Sequence, residues 1–249
     1  MAKIDLMGSN LGEGVLIAGL DFNALVPGTC EKIEFLYGEP EGDINFGKGI
    51  KGKFKDRVLT IKSPNQIYAY DNCRYMFYKK MMLKEIDFTN FNTSKVTSMG
   101  YMFESCKSIK TLDLSGFDTS NVRNMNDMFK DCTRLESLDL SSFDTSSVIS
   151  TAGMFNRCFS LFSLNVADFD TSKIVNMAAM FNECRSLVSL DVARWDVANI
   201  TKMEKLFDHC SNLEELDISK WRLNRKLRKR HMFRCCDNLA DEKKCNLYL

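Results

Sequence analysis

The chain has 249 residues, 45% of them hydrophobic and 27% charged, with a formal net charge of +1. That length suits one large domain or two small ones with ample apolar material for a core. The charge balance excludes a uniformly basic nucleic-acid binder and an acidic disordered chain, and two histidines leave little room for a His-rich metal site or a His-centred triad.

At the start of the chain, Lys3 and Asp5 precede a short apolar run over residues 15–20. The run is too short for a signal-peptide core, and no basic region leads directly into it. No segment approaches the roughly 20 apolar residues of a membrane helix. These features predict a chain that is not exported and works in the cytoplasm, where its ten cysteines would be thiols rather than a disulfide framework. Residues 1–67 are predicted to form a β-rich N-terminal cap or small subdomain, with strand-like runs at 14–22, 30–37 and 57–62 separated by Gly-rich turns. The glycines around Gly47-Lys48-Gly49-Ile50-Lys51-Gly52 lack the spacing of a phosphate-cradling loop.

From residue 68 a strict repeat takes over. Cys106, Cys132, Cys158, Cys184, Cys210 and Cys236 are each 26 residues apart. Phe77, Phe103, Phe129, Phe155, Phe181, Phe207 and Phe233 keep the same interval. A Met column runs from Met76 to Met232 with Leu206 filling one gap, and a further aromatic column from Phe91 ends in Trp195 and Trp221. A fixed period without insertion is the mark of a solenoid, whose copies bury their apolar faces only against one another. Within a copy, Leu135-x-x-Leu138-x-Leu140 alternates as a half-buried strand, and the Ser-Ser-Phe-Asp-Thr-Ser stretch after it is turn-like. Val122, Met125, Met128 and Phe129 then follow helical spacing. The predicted fold is therefore an α/β solenoid of 26-residue strand-turn-helix repeats over residues 68–249, with atypical copies capping both ends.

The LxxLxLxx pattern resembles the leucine-rich repeat, and MFxxCxxLxxLDLSxFDTSxVxxMxxMF is similar to the BspA-like class, including surface-protein repeats of mycoplasmas and lactobacilli. The resemblance covers residues 68–249. It implies a leucine-rich-repeat solenoid whose strands line a concave face that binds another macromolecule. Family members occur in bacterial surface and adhesion proteins and in phage and protist proteins. The missing signal peptide points away from an adhesin, towards an intracellular or phage-encoded protein acting in the host cell.

Candidate sites follow from the columns. The one-per-copy cysteines read as core residues, not as converging ligands or nucleophiles. His231, Cys235, Cys236 and Cys245 come closest to a ligand set, but HxxxCC followed by a distant Cys is not zinc spacing. No metal, cofactor or catalytic residue is expected. The strand face would display Glu85, Asp87, Asp113, Asp139, Asn165, Asp191, Glu215 and Asp217 between its buried leucines. Like charges at strand spacing repel, so either a basic partner or local hydrogen bonds to Ser, Thr and backbone amides must offset them. A second column, Asp118, Asp144, Asp170 and Asp196, reads as helix capping. Residues 222–234 carry Arg222, Arg225, Lys226, Arg228, Lys229, Arg230 and Arg234 and no carboxylate, which leaves the rest of the chain net acidic. The expected function is non-catalytic binding of a protein through the concave strand face. Binding of nucleic acid or an anionic surface through 222–234 is the alternative, and a structural or assembly role the third.

Overall fold

The computed structural model describes residues 12–240. Residues 71–236 wind into a β-solenoid of about seven coils, and parallel bridges join Asn72, Ser98, Asn124, Ser150, Asn176, Lys202 and Arg228 from each coil to the next. The 26-residue period is therefore one full coil. The Phe column confirms the register: rings from Phe77 to Phe233 stack with centroids 5.2–5.6 Å apart and planes within 13° of parallel.

The repeat solenoid is as expected, but its helices are not there. The described residues contain one short helix, α1 (Gly19–Leu25), and it lies outside the repeats. Val122, Met125, Met128 and Phe129 are all buried, as an amphipathic stripe requires, yet the segment is a run of tight turns. The N–H groups of Met128, Lys130 and Cys132 donate to carbonyls three residues back. Those of Met125, Asp127, Phe129 and Asp131 instead cross to Ser150, Ala152, Met154 and Asn156 of the next coil. Left-handed residues at Asp127 (φ 53°) and Asp131 (φ 57°) reverse the backbone before a helix can propagate. Helices need axes 8–10 Å apart, whereas rings stacked at about 5.5 Å demand strand-like spacing. The apolar spacing is common to both conformations, and the coil spacing rejects the helix.

The strands are short. β6 (Glu85–Asp87) and β7 (Phe91–Asn92) belong to the first coil, β5 (Ile67–Tyr68) precedes it and pairs in parallel with β7, and β8 (Ser137–Asp139), β9 (Ser163–Asn165), β10 (Ser189–Leu190) and β11 (Glu215–Leu216) recur on one face. β8 pairs with β9 and β10 with β11, both parallel.

Ahead of the coils, the described residues hold a small sheet and one helix. The run at 14–22 ends in α1, whose Phe22 is buried between Phe35, Phe46 and Phe77. The other runs are β1 (Lys32–Tyr37) and β4 (Val58–Ser63), and between them lies an unforeseen hairpin of β2 (Ile44–Gly47) and β3 (Ile50–Lys55). Its glycines hid it. At Gly52 a Cβ would sit 2.5 Å from the Phe46 ring, so the strand requires glycine there despite its low strand propensity. The sheet order is β2-β3-β4-β1-β6, and parallel pairing of β1 with β6 joins the cap to the first coil.

Capping the first coil means supplying donors to carbonyls that have no preceding coil. Gly19 N–H donates to Asn72, and the Asn23 side-chain amide donates to both Met76 and Tyr78. In later coils each column thiol donates to the carbonyl of the preceding Phe, at 2.8–3.2 Å. Lys80 takes that position in the first coil because its acceptors lie farther off, at the carbonyls of Asn23 and Val26 on α1, 2.8 and 2.7 Å from Nζ.

Phe155→Ala should lower the unfolding free energy by about 3–5 kcal/mol through the void it leaves, measured by urea denaturation. Lys80→Met keeps the volume but removes the donor to the Val26 carbonyl and one of two donors to the Asn23 carbonyl, and should cost about 1–3 kcal/mol in the same assay.

Candidate functional site

The strand face carries two shallow depressions. A depression of about 750 Å³ runs between β6 and the facing segment of the next coil, lined by Glu85, Asp87, Thr111 and Asp113 over Phe88, Phe91 and Phe117. A second, of about 550 Å³, continues across Asp113, Asp139 and Asn165 with Leu112, Leu138 and Leu164 beneath. Thus Glu85, Asp87, Asp113, Asp139 and Asn165 share one continuous trough. Asp191, Glu215 and Asp217 continue the same register farther along as exposed residues.

The acidic column is held by its own backbone. In each copy the Asp or Asn oxygen accepts the N–H two residues on: Asp87 from Thr89 at 2.8 Å, Asp113 from Ser115 at 3.0 Å, Asp139 from Ser141 at 2.9 Å. Asn165, Asp191 and Asp217 repeat it with Ala167, Ala193 and Ser219. Hydroxyls of Thr89 and Ser115 add second bonds. These bonds favour the ionised form, so the hydroxyl and amide of Ser115 hold the Asp113 carboxyl below the usual carboxylate range, and the amide and hydroxyl of Ser141 do so for Asp139. Local hydrogen bonding is thus one offset to the like-charge repulsion. Glu85 is paired differently, 2.8 Å from Lys32 Nζ.

The second Asp column caps no helix, because none follows it. Asp118, Asp144 and Asp170 accept from Ser120, Ser146 and Ser172 in the same two-residue turn, and the Ser146 and Ser172 hydroxyls and amides lower the Asp144 and Asp170 pKa values. Between these corners, buried Thr93, Thr119, Thr145 and Thr171 donate to the backbone carbonyls of Asp118, Asp144, Asp170 and Asp196.

One feature of the trough was missed in the sequence. The position before each strand is Lys84, Lys110, Glu136, Phe162, Val188 and Glu214. Phe162 and Val188 are 57% and 44% exposed and sit in adjacent coils, immediately before β9 and β10. The signal was the break in an otherwise charged column.

The basic segment is not helical either. It runs through turns of the last coil, with Arg222, Arg225, Lys226, Arg228 and Arg230 exposed and Lys229 half-buried. Arg234 has a structural partner: it grips the buried Asp208 carboxylate with Nε at 2.9 Å and Nη2 at 2.7 Å. Among the described residues, Arg222, Arg225, Lys226 and Arg228 enter no ion pair. Of the weak ligand set, the Cys236 thiol donates to the Phe207 carbonyl, Cys235 is exposed, and Cys245 lies outside the described residues, as do Lys3, Asp5 and residues 241–244 of the last copy. No described helix is long and apolar enough to cross a membrane.

A family model described as "Mycoplasma protein of unknown function, DUF285" matches residues 71–164 and again 154–246. No curated protein matches the chain.

Two measurements check this chemistry. Burial drives the Cys106 thiol up to about 12, so at pH 8 a thiol reagent should label Cys235 in the native C245S protein and reach the six column thiols only on unfolding. The lowered carboxylates of Asp113, Asp139, Asp144 and Asp170 contribute stability above their unfolded pKa, and it is lost as the pH falls below about 4. D113N/D139N/D144N/D170N, which keeps the accepting oxygens, should flatten that acid decline in urea melts between pH 6 and 2.

Proposed function

The chain belongs to the DUF285 family of Mycoplasma proteins, and we propose that it is a non-catalytic scaffold that binds a protein partner along its strand face. The observation carrying this reading is the exposed pair Phe162 and Val188, which immediately precede β9 and β10 on the strand face. Apolar side chains ringed by hydrogen-bonding groups mark the centre of a protein interface. The trough on the same face is long and shallow, with small or acidic side chains over a floor of Leu and Phe, which suits an extended protein surface better than a small molecule.

The likeness of the LxxLDLSxFDTS repeat to BspA-like leucine-rich repeats supports the same use of the face. The column thiols act as donors only when reduced, which suits a partner met in a reducing, intracellular compartment. Asp113, Asp139 and Asp191 are exposed along the strand face and complement a partner surface that is basic.

The test is affinity capture from cells of origin with in-cell crosslinking through a photoreactive residue at 188. A single protein captured by the wild type should be lost by F162D and by D139K/D191K, while both variants keep the wild-type stability within about 0.5 kcal/mol. Full retention of the partner by F162D would overturn the assignment.

A further inference from the structure

The turn segments carry a polarity that ordinary parallel strands lack. The N–H of Cys73 donates to Ser98, and Met99, Met125, Thr151, Met177 and Met203 donate in turn to the carbonyl of the next coil, ending at Arg228. Three parallel chains begin at Tyr75, Phe77 and Lys79 and end at the carbonyls of Arg230, Met232 and Arg234. In all four every peptide points the same way, as in a helix, and aligned peptide dipoles sum to partial charges at the two ends. One complete row runs the opposite way, from Arg228 back through Thr201, Val175, Ile149, Arg123 and Thr97 to Asp71, and on the strand side Glu136, Phe162 and Glu214 also donate back, to Lys110, Glu136 and Val188. Within the turns, four rows against one leave the carbonyl end at the first coil and the N–H end at the last.

The carbonyl end receives the donors described above, including the Lys80 ammonium. At the N–H end, three of the chains finish on the amides of His231, Phe233 and Cys235, and among the described residues none of these has an acceptor. His231 (φ 59°) and Cys235 (φ 57°) are left-handed, the turn geometry that gathers N–H groups into an anion cradle. Around this electropositive end stand Arg222, Arg225, Lys226, Arg228 and Arg230, all exposed. In mid-solenoid some basic groups are matched by carboxylates of neighbouring coils, as Lys130 is by Glu104 and Arg157 by Asp131. Here the side chains add to the backbone's positive charge rather than offset it.

We infer that the C-terminal end of the solenoid binds phosphate-class oxyanions, with the amides of His231, Phe233 and Cys235 as donors and the flanking arginines and Lys226 as counter-charges. The site is separate from the strand face and does not depend on it. Such a phosphate can be a free polyphosphate-type ion or the headgroup layer of an anionic membrane, and the two are separable.

The experiment titrates the full chain with tripolyphosphate while following backbone amide resonances. The amides of His231, Phe233 and Cys235 should shift, those of Ser105 and Asp131 in mid-solenoid should not, and the affinity should fall as salt is added. R225Q/K226Q/R228Q, all exposed positions, should weaken binding about 100-fold. Co-sedimentation with phosphatidylglycerol vesicles but not phosphatidylcholine vesicles, competed by tripolyphosphate, assigns the headgroup as the source; tripolyphosphate binding without vesicle binding assigns a free ion. Failure of both probes, binding that leaves the three amides unshifted, or indifference to the triple substitution would overturn the proposal. So would slow exchange of those amides in the ligand-free chain, which would show the edge already occupied by the chain itself.

Discussion

The hydrogen bond from a peptide N–H in one coil to the carbonyl 25 residues further on is the constraint on which the rest of this protein depends. It sets neighbouring coils about one strand spacing apart, and at that distance every side chain in the turns meets its own copy above and below. Phe must lie on Phe, and does so with nearly parallel rings. The cysteines fit because a thiol is small, apolar and still able to donate to the Phe carbonyl beneath it. The period tolerates no insertion because one added residue would shift every column out of stack.

The same bond accounts for the left-handed residues. Two per coil, at places such as Tyr101 and Ser105, turn alternate N–H groups along the solenoid axis. A non-glycine residue in that conformation costs roughly 1–2 kcal/mol, and the crossing hydrogen bonds offset it at eleven of the thirteen repeat positions that are not glycine, His231 and Cys235 standing in the last coil. Gly153 is the one glycine at these positions, where a Cβ would fall 2.3 Å from Asp127 Oδ1. Repetition of one polarity also makes the two ends unlike. The first coil must be closed with donors, for which Gly19, Asn23 and Lys80 are placed, and the last coil offers N–H groups among basic side chains.

On the strand face, the acidic column looks like a charge waiting for a partner, yet each member is already bonded two residues along its own chain. Those bonds fix the carboxylates in place yet leave Asp113, Asp139 and Asp191 exposed along the face, in the same register as the apolar Phe162 and Val188. Asp, Ser and Thr at the coil corners serve the fold first, because a coil of 26 residues must bend several times and each bend leaves amides to satisfy.

Period, register and the identity of the buried columns were legible in the residues, since stacking forces identical environments and so identical side chains. The trough's lining was legible too, because strands alternate. The conformation between the strands was not. Val122, Met125, Met128 and Phe129 point to one side whether the backbone is a helix or a succession of tight turns, and local spacing carries no information about the distance to the next coil. That distance is a property of the stack: at about 5.5 Å between rings there is no room for helices, and the amides that a helix would have used internally are spent between coils. The exposure of Phe162, the bond that ties Arg234 to Asp208, and the direction in which the peptides point likewise exist only once the coils are laid on one another.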